Sequence, residues 1–152
     1  SCRLIFPCDY WTAGCYYRLR VQYWNVLKGE LMKYQATITG LGSCALDFLD
    51  ECCNFIIIFN EDAPSELADI SVLHTKSELK EDPKKGDTVR ICGVEYTISD
   101  VGWEALNTLK ELGHCTLSFK GLDTVERPGI IELIGEPIKA EQLVVGGTIE
   151  IE

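Results

Sequence analysis

A chain of 152 residues, 46% of them apolar and with a formal charge of −10, is about one domain of sequence, long enough to bury a sizeable core. Its acidity repels phosphate backbones and argues against nonspecific nucleic-acid binding, leaving basic proteins or small molecules as the favoured partners. The longest apolar run, Phe55 to Phe59, falls far short of the roughly 20 residues that a membrane helix needs.

Residues 1–31 differ from the rest. They hold Trp11 and Trp24, four of the six Tyr, and Cys2, Cys8 and Cys15, with no clear period. Arg3, Arg18, Arg20 and Lys28 against Asp9 and Glu30 give this stretch +2 and leave −12 for residues 32–152. Met32 is the only methionine, and codons for the Lys28-Gly29-Glu30 that precede it can spell a purine-rich ribosome-binding sequence. The expectation is a leader over 1–31, either translated upstream sequence before a natural start at Met32 or a genuine extension, and one domain over 32–152. No apolar segment leading to a small-residue cleavage site suggests a signal peptide.

From Met32 the elements follow in order. "KYQATITGLG" alternates through Tyr34, Ala36 and Ile38 and ends in glycines, which predicts a strand and a turn. Ser43 is placed to cap a helical turn over "SCALDFLDE", with Leu46, Leu49 and Cys53 on one face. "NFIIIF" reads as a buried β-branched strand, Asn60 to Pro64 break it, and "SELADI" is a helical turn before the strand "SVLHT". After the turn "DPKKGD", "TVRICGVEYTISDVG" reads as two strands meeting at Cys92-Gly93.

Residues 103–112, "WEALNTLKEL", predict a helix with Trp103, Leu106, Leu109 and Lys110 at helical spacing, Glu104 in its first turn and Gly113 as its stop. "HCTLSF", "GIIELIG" and "GTIEIE" add three strands. Many short strands with one good helix indicate a mainly antiparallel barrel or sandwich.

Eight cysteines without any C-x-x-C pair give no metal-site spacing, and a reduced, cytoplasmic protein is expected. Cys44, Cys53, Cys92 and Cys115 sit among apolar or small neighbours, where a free thiol behaves as a small hydrophobe. A redox role for Cys52-Cys53 is the weakest alternative, since vicinal cysteines rarely form an unstrained bridge. Phosphate-loop, dinucleotide, zincin and hydrolase motifs are missing, and "GLGSCA" is a two-glycine turn. No cofactor and no metal are expected.

The chain has two histidines, His74 and His114. A neutral imidazole nitrogen can attack phosphorus and hold the phosphoryl group covalently. His74 ends an apolar run and is followed by Thr75, Lys76, Ser77 and Lys80, which offer hydroxyls and charge for phosphoryl oxygens, with strand-end N–H groups to complete a cradle. Taken alone, those residues fit a surface or hydrogen-bonded structural histidine, which is the commoner case.

Four blocks carry a resemblance: "YQATITGLGSCALDFL", "APSELADISVLHTKSEL", "LKELGHCTLSFKGL" and "PGIIEL". Through them residues 32–152 resemble the glucitol/sorbitol-specific IIA component of the bacterial sugar phosphotransferase system. That resemblance implies a mainly β fold, a small closed barrel of mostly antiparallel strands with one or two short helices. It also implies a phosphotransferase that accepts a phosphoryl group on a histidine from the histidine-containing phosphocarrier protein. The group then passes to the IIB domain of the cognate membrane permease.

By motif position the acceptor is His74, with His114 in support and Thr75 and Lys76 as candidates to stabilise the phosphoryl group. Where some members carry a second histidine, two residues after the acceptor, this chain has Lys76. The alternative is a noncatalytic barrel of the same descent that binds a regulator or sugar. A barrel of this kind closes within one chain or between two copies in a homodimer.

Overall fold

The computed structural model describes residues 20–24, 26–27 and 32–152. They fall in two units, divided between Leu31 and Met32 and taken separately. In the first, residues 20–24 and 26–27 are helical. The remainder of the expected leader, with Trp11 and Cys2, Cys8 and Cys15, lies outside the described residues.

In the second unit, eight strands of one chain close into a barrel. They are β1 (Tyr34–Leu41), β2 (Phe55–Asn60), β3 (Val72–His74), β4 (Thr88–Ile91), β5 (Val94–Val101), β6 (Cys115–Ser118), β7 (Ile130–Ile134) and β8 (Thr148–Ile151). Around the barrel the order is β1-β3-β2-β6-β7-β5-β4-β8. Six junctions are antiparallel; β2 with β3 and β6 with β7 are parallel. A parallel neighbour needs a crossover. Between β2 and β3 it carries the short helix α1 (Ser65–Ala68), and between β6 and β7 it is a loop.

The alternation legible in "YQATI" places Tyr34, Ala36 and Ile38 inside, each at most 2% exposed. Ile56 and Ile58 of β2, Val72 of β3, Val89 and Ile91 of β4, Ile131 and Leu133 of β7 and Ile149 of β8 meet them in one continuous core. The hairpin between β4 and β5 turns at Cys92 and Gly93 as expected, with φ of 50° and 83°. Positive φ at both central residues is the tight hairpin turn that matches strand twist.

The helix over Trp103–Leu112 (α2) has the expected bounds, but a different face is inward. Ala105 and Leu109 are fully buried, while Trp103 is 70% exposed. A small residue at 105 lets the helix lie close to the barrel, and Trp103 at its first position overhangs the edge.

The expected helical turn after Ser43 is a run of single turns, with Ala45, Asp47 and Leu49 N–H groups donating three residues back. Ser43 caps nothing; its hydroxyl lies near only the Cys44 thiol. Ala45 is the fully buried residue there, and Leu46 and Leu49 pack at the margin of the core. The strand around "SVLHT" is only three residues long.

Candidate functional site

His74 is the last residue of β3, opposite Ile38 of β1 and Asn60 of β2. Successive strand residues face opposite sides, so His74 shares the inward face with Val72. Its ring is fully buried, edge-on to Tyr34 with centroids 6.1 Å apart. Nδ1 lies 2.8 Å from the Thr75 carbonyl oxygen and Nε2 lies 2.7 Å from that of Gly113. A carbonyl only accepts, and a neutral imidazole has one N–H, so only the doubly protonated ring donates to both.

His114 stands between α2 and β6, half-buried. Its Nδ1–H donates to the Ile58 carbonyl at 3.0 Å, and its ring lies against Phe59 with centroids 4.6 Å apart. That bond fixes the proton on Nδ1 in the neutral ring, so the lone pair belongs to Nε2, which has no hydrogen-bond partner among the described residues. Both histidines therefore gather at the end of β2. They lie on opposite faces of it, His74 beside Asn60 and His114 on Phe59.

The two flanking candidates are already engaged. The Thr75 N–H donates to Thr37 O at 2.9 Å, and its Oγ1 accepts from the Thr37 N–H at 3.0 Å, so the strand-end N–H expected to cradle an anion is committed to β1. The hydroxyl proton of Thr75 stays available. Lys76 pairs with Asp62 at 2.7 Å on the open surface. The hydrogen bond from Lys76 holds the Asp62 carboxyl below the usual carboxylate range, and the same bond raises the ammonium of Lys76.

Three residues of this site were not among the sequence candidates. Gly113, read only as a helix stop, caps α2 with φ 60° and ψ 27° and donates its N–H to Leu109 O. Asn60, read only as a strand breaker, buries an Oδ1 that has no donor among the described residues. Tyr34, read only as a core residue, buries a hydroxyl without a partner among the described residues, and burial holds its pKa above the ordinary tyrosine value, with the Cys115 thiol adding a smaller effect. Burial pushes that thiol up to about 12. The one available signal was Gly113 directly before His114 in "ELGH".

A groove of about 590 Å³ runs along the outer face of β2 and β6, between Cys52, Phe55, Lys120 and Arg127, and contains neither histidine. Among the described residues no group of three or more His, Cys, Asp or Glu is placed to hold a metal ion, and no helix is long and apolar enough to cross a membrane. Cys44, expected among apolar neighbours, is exposed, as is Cys52; Cys115 is the buried thiol. The Cys53 thiol is raised by burial and by Asp50, which opposes a reactive thiolate.

Comparison with known proteins agrees with this architecture. Residues 33–150 match the model of the family described as the PTS system glucitol/sorbitol-specific IIA component. The chain is 37% identical over 102 residues to the glucitol/sorbitol-specific EIIA components of Escherichia coli (strain K12) and Shigella flexneri, covering 67% of this chain and 81% of each relative. It is also similar to the crystal structure of a PTS system IIA component from Enterococcus faecalis V583, with a TM-score of 0.61 and 27% identity over 76% of this chain and 96% of that one. A closed, mainly β barrel matched almost end to end by its family model places the chain in the family of glucitol/sorbitol-specific IIA components of the sugar phosphotransferase system, with the phosphoryl-carrier role of that family.

Proposed function

We propose that His74 is the phosphoryl acceptor of this carrier. It receives the group from the histidine-containing phosphocarrier protein and hands it to the IIB domain of a glucitol/sorbitol permease. The observation that carries this is the position of His74 in "SVLHT", the motif position of the family acceptor, at the end of a strand framed by backbone on both sides. A carrier histidine has to be held rigidly and still be reachable by two partners.

The acidic domain, 32–152, favours fast, salt-sensitive encounter with a partner presenting positive charge. Its field opposes the phosphoryl group itself, so the Thr75 hydroxyl and Lys76 are the local groups that offset it, Lys76 by exchanging Asp62 for phosphoryl oxygen. His114 supports the site from the far side of β2. The protein works in the cytoplasm, 1–31 is a leader outside the family domain, and a homodimer is not needed to close the barrel.

One observation favours a second acceptor. His114 has its Nδ1–H fixed on a carbonyl and its Nε2 without a partner, the arrangement of a nucleophile ready to attack. Phosphotransfer from phosphoenolpyruvate through the upstream kinase and the phosphocarrier, followed by intact mass, decides between them. With His74 as acceptor, a phosphate-sized gain appears in wild type and in His114→Ala and is lost in His74→Ala. The converse pattern makes His114 the acceptor, and no gain in folded wild type leaves a noncatalytic module.

A further inference from the structure

An acceptor histidine needs a lone pair within reach of its donor, yet His74 is wholly buried with a carbonyl oxygen against each nitrogen. The two carbonyls differ in kind. That of Thr75 belongs to the adjacent residue and moves with the ring's own strand. That of Gly113 is 39 residues away and is contributed by the C-terminal cap of α2. Gly113 itself is buried, while Leu112 beside it is 45% exposed.

Two independent constraints keep residue 113 without a side chain. Its φ of 60° is the left-handed region that favours glycine. A Cβ would also collide with Asn60 Oδ1 and come within 2.7 Å of His74 Cε1. A side chain here forces Asn60 and the imidazole to give way, so the present contact depends on nothing projecting from Gly113.

We infer that Gly113 is a positioning residue that locks His74: its carbonyl holds Nε2 in the unphosphorylated protein and gives way when a phosphoryl-donating protein docks, which closes the site to small phosphoryl donors. The inference rests on His74 being the acceptor. In the locked ring a carbonyl oxygen stands against each nitrogen, so neither is open to an incoming phosphorus atom. When the cap withdraws, the Nε2 proton passes to water and the freed lone pair forms the new N–P bond. The N–P bond of the donor breaks, its electron pair stays on the donor's ring nitrogen, and Nδ1–H of His74 remains on the Thr75 carbonyl.

The test treats the full chain with phosphoramidate, a small phosphoryl donor that requires no docking. A parallel sample receives phosphoenolpyruvate, the kinase and the phosphocarrier, and peptide mass mapping follows His74 and His114 separately. In wild type the phosphocarrier labels His74, whereas phosphoramidate labels His114 first and His74 slowly. Gly113→Ala exposes the ring. Gly113→Ala with Asn60→Ala relieves the crowding at Asn60 while keeping the methyl against the imidazole.

In these variants phosphoramidate labels His74 roughly ten to a hundred times faster than in wild type, the range for releasing one hydrogen bond to a charged group, with His114 unchanged. Equal His74 rates in wild type and in the folded double variant overturn the lock. So does wild-type His74 reacting with phosphoramidate as fast as His114, a result that needs no variant. Phosphocarrier labelling of His114 and never of His74 overturns the acceptor assignment instead, and the lock falls with it.

Discussion

His74 and Gly113, 39 residues apart in the chain, meet at 2.7 Å, ring nitrogen to carbonyl oxygen. The contact joins the end of a barrel strand to the end of the helix α2. It makes the hydrogen bonding of the imidazole, its burial and the cap of a helix one structural unit.

Replacing His74 therefore has two separable effects. His74→Ala abolishes phosphoryl acceptance. It also leaves the carbonyls of Thr75 and Gly113 without their donor and opens a cavity, at a cost of about 2–4 kcal/mol. The barrel persists, because its ladders do not run through this side chain. Intact mass after phosphotransfer reads the first effect and the urea midpoint the second; normal acceptance by the variant excludes His74 as the nucleophile.

The pair Lys33–Asp87 tethers the residue before β1 to the residue before β4 at 2.6 Å, with both side chains about nine-tenths buried. Asp87 also accepts the Lys84 N–H at 2.9 Å. Breaking one partner strands the other charge, so Lys33→Met lowers stability by about 3–5 kcal/mol, while Lys33→Met with Asp87→Leu recovers most of it. Chemical denaturation of the two variants checks this: equal losses would mean that the stranded charge is not what costs stability.

Alkali weakens the fold through its buried protons. Burial raises the Tyr34 hydroxyl above its ordinary 10, pushes the Tyr96 hydroxyl up to about 12, and lifts the Cys115 thiol from 9 to about 12. The unfolded chain releases these protons first, so above about pH 9 the folded state binds more protons than the unfolded one. The stability they contribute is complete below pH 9 and is lost as pH rises toward 12. Urea midpoints from pH 7 to 11 should fall accordingly, and Cys115→Ala should flatten the slope. At neutral pH, Tyr34→Phe removes a buried hydroxyl without a partner and stabilises by about 1 kcal/mol.

Two apolar residues of α2 have opposite weights. Leu109, fully buried, costs about 2–4 kcal/mol when cut to Ala. Trp103, 70% exposed, changes stability by less than about 0.5 kcal/mol in Trp103→Ala. Thermal unfolding of both variants separates the buried stripe of the helix from its overhang.

Much of this protein is local in origin and was therefore legible residue by residue. Strict alternation in "YQATI", the β-branched run "FIIIF", the two-residue turn at Cys92-Gly93 and the stop at Gly113 each specify backbone through short-range sterics and burial. Those features were enough for a mainly β fold with a helix over 103–112. The motif blocks then pointed to both histidines.

Closure, facing and partnership were decided in three dimensions. Which strands lie side by side depends on crossovers between residues far apart in sequence, so the parallel pairs of β2 with β3 and of β6 with β7 have no local signature. Helical spacing marks Trp103 and Leu109 alike, and only packing against the barrel chose Ala105 and Leu109 as the inward pair. The same holds at the site. A histidine in "SVLHT" announces an imidazole, but its two carbonyl partners come from the next residue and from a helix cap 39 positions away, because a buried ring nitrogen must bond to whatever the closed barrel brings to it.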